Sequence, residues 1–202
     1  EIEVREADAV SAAWPAEITH VISNLPYQIS SPVLERIRVH HAKDPLELVI
    51  LLVQDEFAAR MAMSTAPYDM GPLGLNLWLD FEVALDRRLA PGSFIPSPRV
   101  HSRLLTLRPV IRPEVEELDK ALFRITTKHC FAHRRRKLRT LLSESPLRLS
   151  RVSGWHKERW GAAIAAMQDS EIEGLPSGWL DMRPENLEAL DWVTLIRRLS
   201  SM

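Results

Sequence analysis

Four consecutive residues, Asn24-Leu25-Pro26-Tyr27, combine side chains and backbone in a way that suits one kind of chemistry. Asn24 has an amide oxygen that accepts from an amino group. Leu25 is an apolar spacer. Pro26 fixes its own φ, lacks an N–H and leaves a carbonyl in a defined direction. Tyr27 offers a flat ring on which a base can stack. Such a set holds an exocyclic aromatic amine edge-on by two acceptors and face-on by a ring. The amine of adenine is a weak nucleophile, because its lone pair is delocalised into the ring. The Asn24 oxygen and the carbonyl of Leu25 or Pro26 would take its two hydrogens, favour a tetrahedral nitrogen and aim the lone pair at an electrophilic methyl carbon. Positioning and fixed dipoles then supply most of the catalysis. For the tetrapeptide alone a plainer alternative stays open: a loop whose Asn caps a turn and whose Tyr fills the core.

These residues need a rigid support. The apolar run Ile18 to Ile22 reads as a buried strand that ends just before them, and open α/β sheets collect ligands at the carboxyl ends of strands. Ser30 and Ser31 followed by Pro32 read as an N-cap and a first-turn proline of a helix to about Val39, with Val33, Leu34 and Ile37 buried. Upstream, Ile2 and Val4 alternate with charged residues like a strand that places Asp8 near its end. Asp8 there would either accept from the amine of an adenosine cofactor or cap a turn. Downstream, Leu46 to Val53 predicts a central parallel strand covered on both faces. Gln54 to Met63 reads as a helix with Phe57, Ala58 and Met61 inward, and Ser64 to Gly74 as a loop. Leu75 to Phe81, Glu82 to Leu89 and Arg103 to Leu107 alternate like strands. Strand–helix alternation followed by a late strand pair predicts a three-layer α/β domain. Between the last strands, Phe94 opens a proline-stiffened stretch ending at Ser102. Phe94 is there either a stacking platform or, with Ile95, a plug at the domain edge.

Composition sets outer limits. The chain has 202 residues, 46% of them hydrophobic, enough for one large or two small domains. A single cysteine, Cys130, excludes an internal disulfide framework or a cysteine-rich zinc site and fits a reducing compartment. No apolar run approaches membrane-spanning length and no signal peptide opens the chain. None of the seven glycines forms a glycine-rich cofactor loop after a strand. The abrupt opening at Glu1-Ile2-Glu3-Val4 reads as a fragment lacking its amino-terminal part.

Past Ile111 no strand-like run appears. Leu118, Leu122, Ile125, Leu138, Leu141 and Leu142 keep helical spacing, and Arg183-Pro184-Glu185-Asn186 reads as the opening of a final helix. A boundary near Arg112-Pro113 divides the chain into 1–112 and 113–202. Charge divides it in the same place: net −3 before, +2 after, and +10 within residues 120–160. His129, His133, Arg134, Arg135, Arg136, Lys137 and Arg139 form the centre of this run, read as a helix that presents cations on more than one face. It suits a phosphate-backbone grip through counterion release, or is simply a solvated face.

Several stretches now stand in one order: Ala7-Asp8-Ala9, Asn24-Leu25-Pro26-Tyr27-Gln28-Ile29-Ser30-Ser31-Pro32, Gln54-x-Glu56-Phe57-Ala58-x-Arg60-Met61, and Phe94-x-Pro96-x-Pro98-Arg99-Val100-x-Ser102. Together with Phe131-x-His133-Arg134-Arg135-x-Lys137 and Asp181-Met182-Arg183-Pro184-Glu185-Asn186-Leu187, they resemble the KsgA-type rRNA adenine dimethyltransferases in their archaeal or eukaryotic form, over nearly the whole chain. The resemblance implies an α/β class I (Rossmann-like) methyltransferase sheet, incomplete at its amino end, in residues 1–112. It implies a small all-helical rRNA-binding domain in 113–202. It further implies S-adenosylmethionine as methyl donor and two methyl transfers to the amine of each of two adjacent adenosines near the 3′ end of small-subunit rRNA. By position, Asp8 and Asn24 would meet the cofactor. Asn24 with the Leu25/Pro26 backbone would hold the target amine, and Tyr27 and Phe94 would sandwich the flipped base. His133, Arg134, Arg135, Arg136, Lys137 and Arg139 would grip RNA. No metal is implied. A monomer acting in ribosome biogenesis on the pre-ribosomal small subunit is expected, cytoplasmic or, in a eukaryote, nucleolar, with no membrane partner.

The chain departs from the family pattern in three places. The upstream glycine-rich motif and the acidic ribose-binding residue are missing, Ala7 replaces the usual glycine, and Met70-Gly71-Pro72-Leu73-Gly74 replaces a Tyr-Gly-Arg-Leu-Ser loop. The isolated chain is therefore expected to bind cofactor poorly and to be inactive, the full-length protein being the enzyme. Two rivals are a large-subunit rRNA resistance methylase and a non-catalytic RNA-binding relative, such as a ribosome-assembly or mitochondrial transcription factor.

Overall fold

Leu48–Gln54 (β2) organises the first part of the computed structural model, which describes residues 2–168 and 172–202, the Tyr27 side chain excepted. Its sequence LVILLVQ is rich in β-formers. Val49, Leu51 and Val53 are completely buried on one face, while the residues between them are half-buried. Each such side chain contributes roughly 1.5–3 kcal/mol of burial. Covering of both faces was expected; only one face of β2 is closed. The strand pairs in parallel with His20–Asn24 (β1) and antiparallel with Ser102–Pro109 (β4), which pairs antiparallel with Phe81–Leu89 (β3). The sheet order is β1-β2-β4-β3.

Expectation and structure differ at both ends of this part. The sequence predicts a buried strand over Ile18 to Ile22. The strand lies two residues later, at the end of the sheet among the described residues, and Ile22 is 76% exposed. Ile2 and Val4 form no strand and stand exposed; alternation without a ladder partner leaves backbone groups better served by water. The following segment is tied instead to the helix Ser30–His41 (α1): Arg36 donates to the carbonyls of Val10 and Ala12, and its guanidinium sits 5.1 Å from the centre of the Trp14 ring. α1 buries Val33, Leu34 and Ile37 as expected. Its cap position is Ile29, not a serine, and Ser30 is already helical. A short helix, Asp55–Ala62 (α2), follows β2 directly; Ala58 and Met61 point inward and Phe57 is half-buried.

The remaining residues form a second unit. The first comprises residues Glu1–Ala62 and Asp80–Val110, the second Met63–Leu79 and Ile111–Met202. The chain thus passes through the second unit early, which a single boundary near Arg112 does not describe. The reason is apolar: Leu75 to Phe81 was expected to be strand, but Pro72–Trp78 (α3) is a helix, and Met70, Leu75 and Leu79 bury themselves among the helical core residues. Leu75 and Leu79 stand four apart, one helical face. That core is closed by Lys120–Ala132 (α4), Leu138–Leu142 (α5), Lys157–Gln168 (α6) and Ala189–Ser200 (α7). Leu122, Phe123, Leu138, Leu142, Trp160, Trp192, Leu195 and Ile196 are almost wholly buried in it. Asp119 caps α4 by accepting from Leu122 N–H at 2.9 Å, and the Trp160 indole donates to the Leu142 carbonyl at 2.9 Å. Burial among these side chains pushes the Cys130 thiol far up, so it is an inert core residue. Arg183 to Asn186 do not open the last helix: Pro184–Asn186 is a single 3₁₀ turn, and α7 begins at Ala189 behind a capping box of Glu188 and Asp191.

Candidate active site

A cleft of about 280 Å³ opens at the carboxyl ends of β1 and β2, lined by Asn24, Leu25, Pro26, Leu52, Phe94, Pro96, Pro98 and Ser102. Asn24 is the last residue of β1, in register with Leu52 of β2. The Leu25 N–H carries the ladder one step further by donating to the Leu52 carbonyl at 3.1 Å. The strand pairing and this backbone bond hold the chain up to Pro26, so the exposed Asn24 residue sits on a strand end rather than in a loop.

The two candidate carbonyls do not have equal freedom. That of Pro26 accepts from the Ile29 N–H at 3.1 Å and from the Ser30 hydroxyl at 3.4 Å, closing the 3₁₀ turn Tyr27–Ile29. Both its lone pairs are engaged. Leu25, whose side chain is buried, also lines the cleft, and its carbonyl accepts no backbone bond among the described residues.

Phe94 reaches this cleft from the β3–β4 loop. The 3₁₀ turn Pro91–Ser93 holds its backbone, with Phe94 N–H donating to the Pro91 carbonyl at 3.2 Å. The ring is half-buried while Ile95 is fully exposed, so the two do not act together as an edge plug. The Tyr27 ring, expected as the second stacking surface, lies outside the described residues. Leu52 and Ser102 join the cleft without having been singled out as site residues. The sign was available for Leu52, since a parallel neighbour of β1 must end at the same level as Asn24.

Asp8 is not among the residues lining this cleft. It caps a turn: Oδ1 accepts from Val10 N–H at 2.8 Å and Oδ2 from the Ser11 hydroxyl at 2.9 Å. The Val10 N–H first, then the Ser11 hydroxyl, hold its carboxyl below the ordinary range, so it remains a pure acceptor.

The basic run of the second unit departs most from expectation. His133 to Lys137 are not helical; they form the turn between α4 and α5, and all are exposed. Three of the six polar residues of the run His133 to Arg139 are engaged within the unit. Arg134 pairs with Glu185 at 3.0 Å, and Lys137 and Arg139 pair with Asp181 at 3.1 and 2.6 Å. His133, Arg135 and Arg136 make no side-chain hydrogen bond or ion pair among the described residues, and with Arg134 they rim a hollow of about 410 Å³. No group of three or more metal-binding side chains occurs among the described residues, and no described helix is long and apolar enough to cross a membrane.

The family described as "Ribosomal RNA adenine dimethylase" matches residues 1–150. A probable ribosomal RNA small subunit methyltransferase A of Methanothermobacter thermautotrophicus is 35% identical over 204 residues, spanning all of this chain and 65% of that protein. The corresponding protein of Thermococcus gammatolerans is 35% identical over 144 residues, 71% of this chain and 49% of the relative. The chain thus spans from about half to two thirds of the length of these relatives. In fold it is similar to a dimethyladenosine transferase from Plasmodium falciparum, with a TM-score of 0.75 at 21% identity over 98% of this chain and 72% of that one. With the sheet, the Asn-Leu-Pro-Tyr turn at its carboxyl edge and the match over three quarters of its length all in agreement, the chain belongs to the ribosomal RNA adenine dimethylase family.

Proposed function

We propose that the protein carrying this chain is an S-adenosylmethionine-dependent methyltransferase that dimethylates the N6 amines of two adjacent adenosines near the 3′ end of small-subunit rRNA, as a step in ribosome biogenesis. The observation that supports this reading is the cleft itself: Asn24, Leu25 and Phe94 line one space of about 280 Å³. Asn24 Oδ1 and the Leu25 carbonyl take the two amine hydrogens and direct the nitrogen lone pair outward. Phe94 stacks on the extruded base, with Tyr27 as its counterpart.

Asp8 suits the adenosine end of the cofactor. It is exposed and ionised, and each of its oxygens keeps a second lone pair after the turn is closed. The cofactor, when bound, supplies an electrophilic methyl carbon. The chain's part is to orient the amine and to keep water from the cleft. In the second unit, His133, Arg135 and Arg136 grip the phosphate backbone directly, while Arg134, Lys137 and Arg139 do so in competition with Glu185 and Asp181. Residues 1–110, apart from 63–79, are the catalytic part and the helical unit is the RNA-binding part. The protein acts as a monomer, in the cytoplasm or, in a eukaryote, the nucleolus.

The test is methyl transfer by the full-length protein to small-subunit particles lacking the modification. Transfer to two adjacent adenosines is the expected result. Transfer to large-subunit RNA would favour a resistance methylase, and tight RNA binding without transfer a non-catalytic relative.

A further inference from the structure

The loop that carries Phe94 has both its feet on one carboxylate. Arg88, near the end of β3, and Arg103, near the start of β4, stand directly opposite each other in the antiparallel register. Like charges at such a pair repel and would splay the strands where the loop begins. Asp55, the first residue of α2, stands between them. Its Oδ2 accepts from Arg88 Nε at 2.7 Å and its Oδ1 from Arg103 Nε at 2.8 Å. The backbone N–H of the same residue donates to the His101 carbonyl at 3.0 Å, at the far end of the loop. The β3–β4 pairing is irregular between Leu85 and Arg88, so the Arg88–Arg103 rung is where register resumes before the loop. Irregularities of this kind re-aim the chain that follows.

We infer that Asp55 is a positioning residue: by bridging the two arginines of the Arg88–Arg103 rung with one carboxylate and holding His101, it sets the loop 90–101 and so places Phe94 at the cleft. This rests on the proposed reading of the cleft as a base-binding site. Asp55 itself does not line the cleft; it lines a neighbouring hollow of about 300 Å³ with Arg99 and His101. Its side chain and that of Arg103 are each 23% exposed, so the contact is better sheltered than an open surface ion pair. Burial by itself would raise the carboxyl, yet the hydrogen bonds from Arg103 and Arg88 hold it below the usual range, which keeps it charged. Asparagine in its place keeps the size and the backbone bond but offers one acceptor and no charge.

The experiment compares Asp55→Asn, Asp55→Glu and Phe94→Ala in the full-length protein. It measures kcat and KM for RNA methylation, RNA affinity, and amide exchange across residues 94–101. The expected result for Asp55→Asn is a kcat lower by about tenfold to a hundredfold with RNA affinity kept, since a small displacement of a positioning group has that cost. Exchange in 94–101 accelerates while exchange in β2 stays as it was, Asp55→Glu recovers most of the loss, and Phe94→Ala loses kcat similarly. Unchanged exchange in Asp55→Asn, or unchanged kcat alongside an impaired Phe94→Ala, overturns the role given to Asp55. Accelerated exchange in Asp55→Asn together with full kcat in Phe94→Ala overturns the base-stacking reading instead, and with it the catalytic consequence.

Discussion

The cleft and the basic turn are built on opposite principles. At the cleft the contributing groups are neutral, and each is fixed by backbone bonds: Asn24 by the parallel ladder to β2, Leu25 by the Leu52 carbonyl, Phe94 by a 3₁₀ turn. Along the basic run from His133 to Arg139 the polar and charged groups are exposed, and three of the six, Arg134, Lys137 and Arg139, are held by ion pairs to Asp181 and Glu185. On the proposed reading, a site that aims one lone pair needs fixed dipoles. A surface that must follow a polyanion needs charge with some freedom, because phosphate contacts position a partner without reading its sequence.

The sharpest break in this comparison is Asn24→Ala. Loss of one fixed acceptor is expected to lower methyl transfer by about 10²–10³-fold, with RNA affinity unchanged in a filter-binding or fluorescence titration. Equal activity would remove Asn24 from the chemistry. The scaffold under the cleft is tested by Leu51→Ala, which empties a fully buried position of β2. It should cost about 2–5 kcal/mol in urea unfolding, whereas Arg136→Ala should stay within about 0.5 kcal/mol.

Arg135→Glu with Arg136→Glu addresses the other side. RNA binding should weaken and its log–log salt slope should fall by about two, one for each phosphate contact. An unchanged slope would return the turn to a solvated face. The smallest effect is expected from Asp181→Asn, which frees Lys137 and Arg139 and should steepen the salt slope. The Lys137 hydrogen bond first, with Arg139, holds the Asp181 carboxyl below its ordinary value of 3.8. A carboxyl lowered in the folded state contributes stability above that value and loses it as pH falls through the folded one. Any stability difference between Asp181→Asn and the parent protein should therefore be present at neutral pH and vanish in acid.

Legibility in the sequence followed the range of the forces involved. The α1 helix, the β2 strand and the order of the chemical motifs were readable because period, proline placement and residue type are local. The same rules misplaced Leu75 to Trp78, where two leucines four apart were outweighed by an apparent alternation. They also made a helix of His133 to Lys137, where consecutive cations carry no helical period. The cleft residues named from the sequence, Asn24, Leu25, Pro26 and Phe94, do line one space. Asp8 does not join them, and Asp55 went unnoticed because its partners lie 33 and 48 residues away.

By itself, the sequence determined which groups are present, their order along the chain, and the family to which that order belongs. Only the tertiary structure decided that the Pro26 carbonyl is taken up in closing a 3₁₀ turn. It also decided that β1 has one partner strand among the described residues, that residues 63–79 join the helical core, and that Asp181 and Glu185 claim three of the six polar residues of the basic run. The physical reason is that composition and period act between near neighbours. Hydrogen-bond capacity, burial and charge pairing are settled between residues that only folding brings within a few ångströms, as Arg134 and Glu185 are, 51 positions apart.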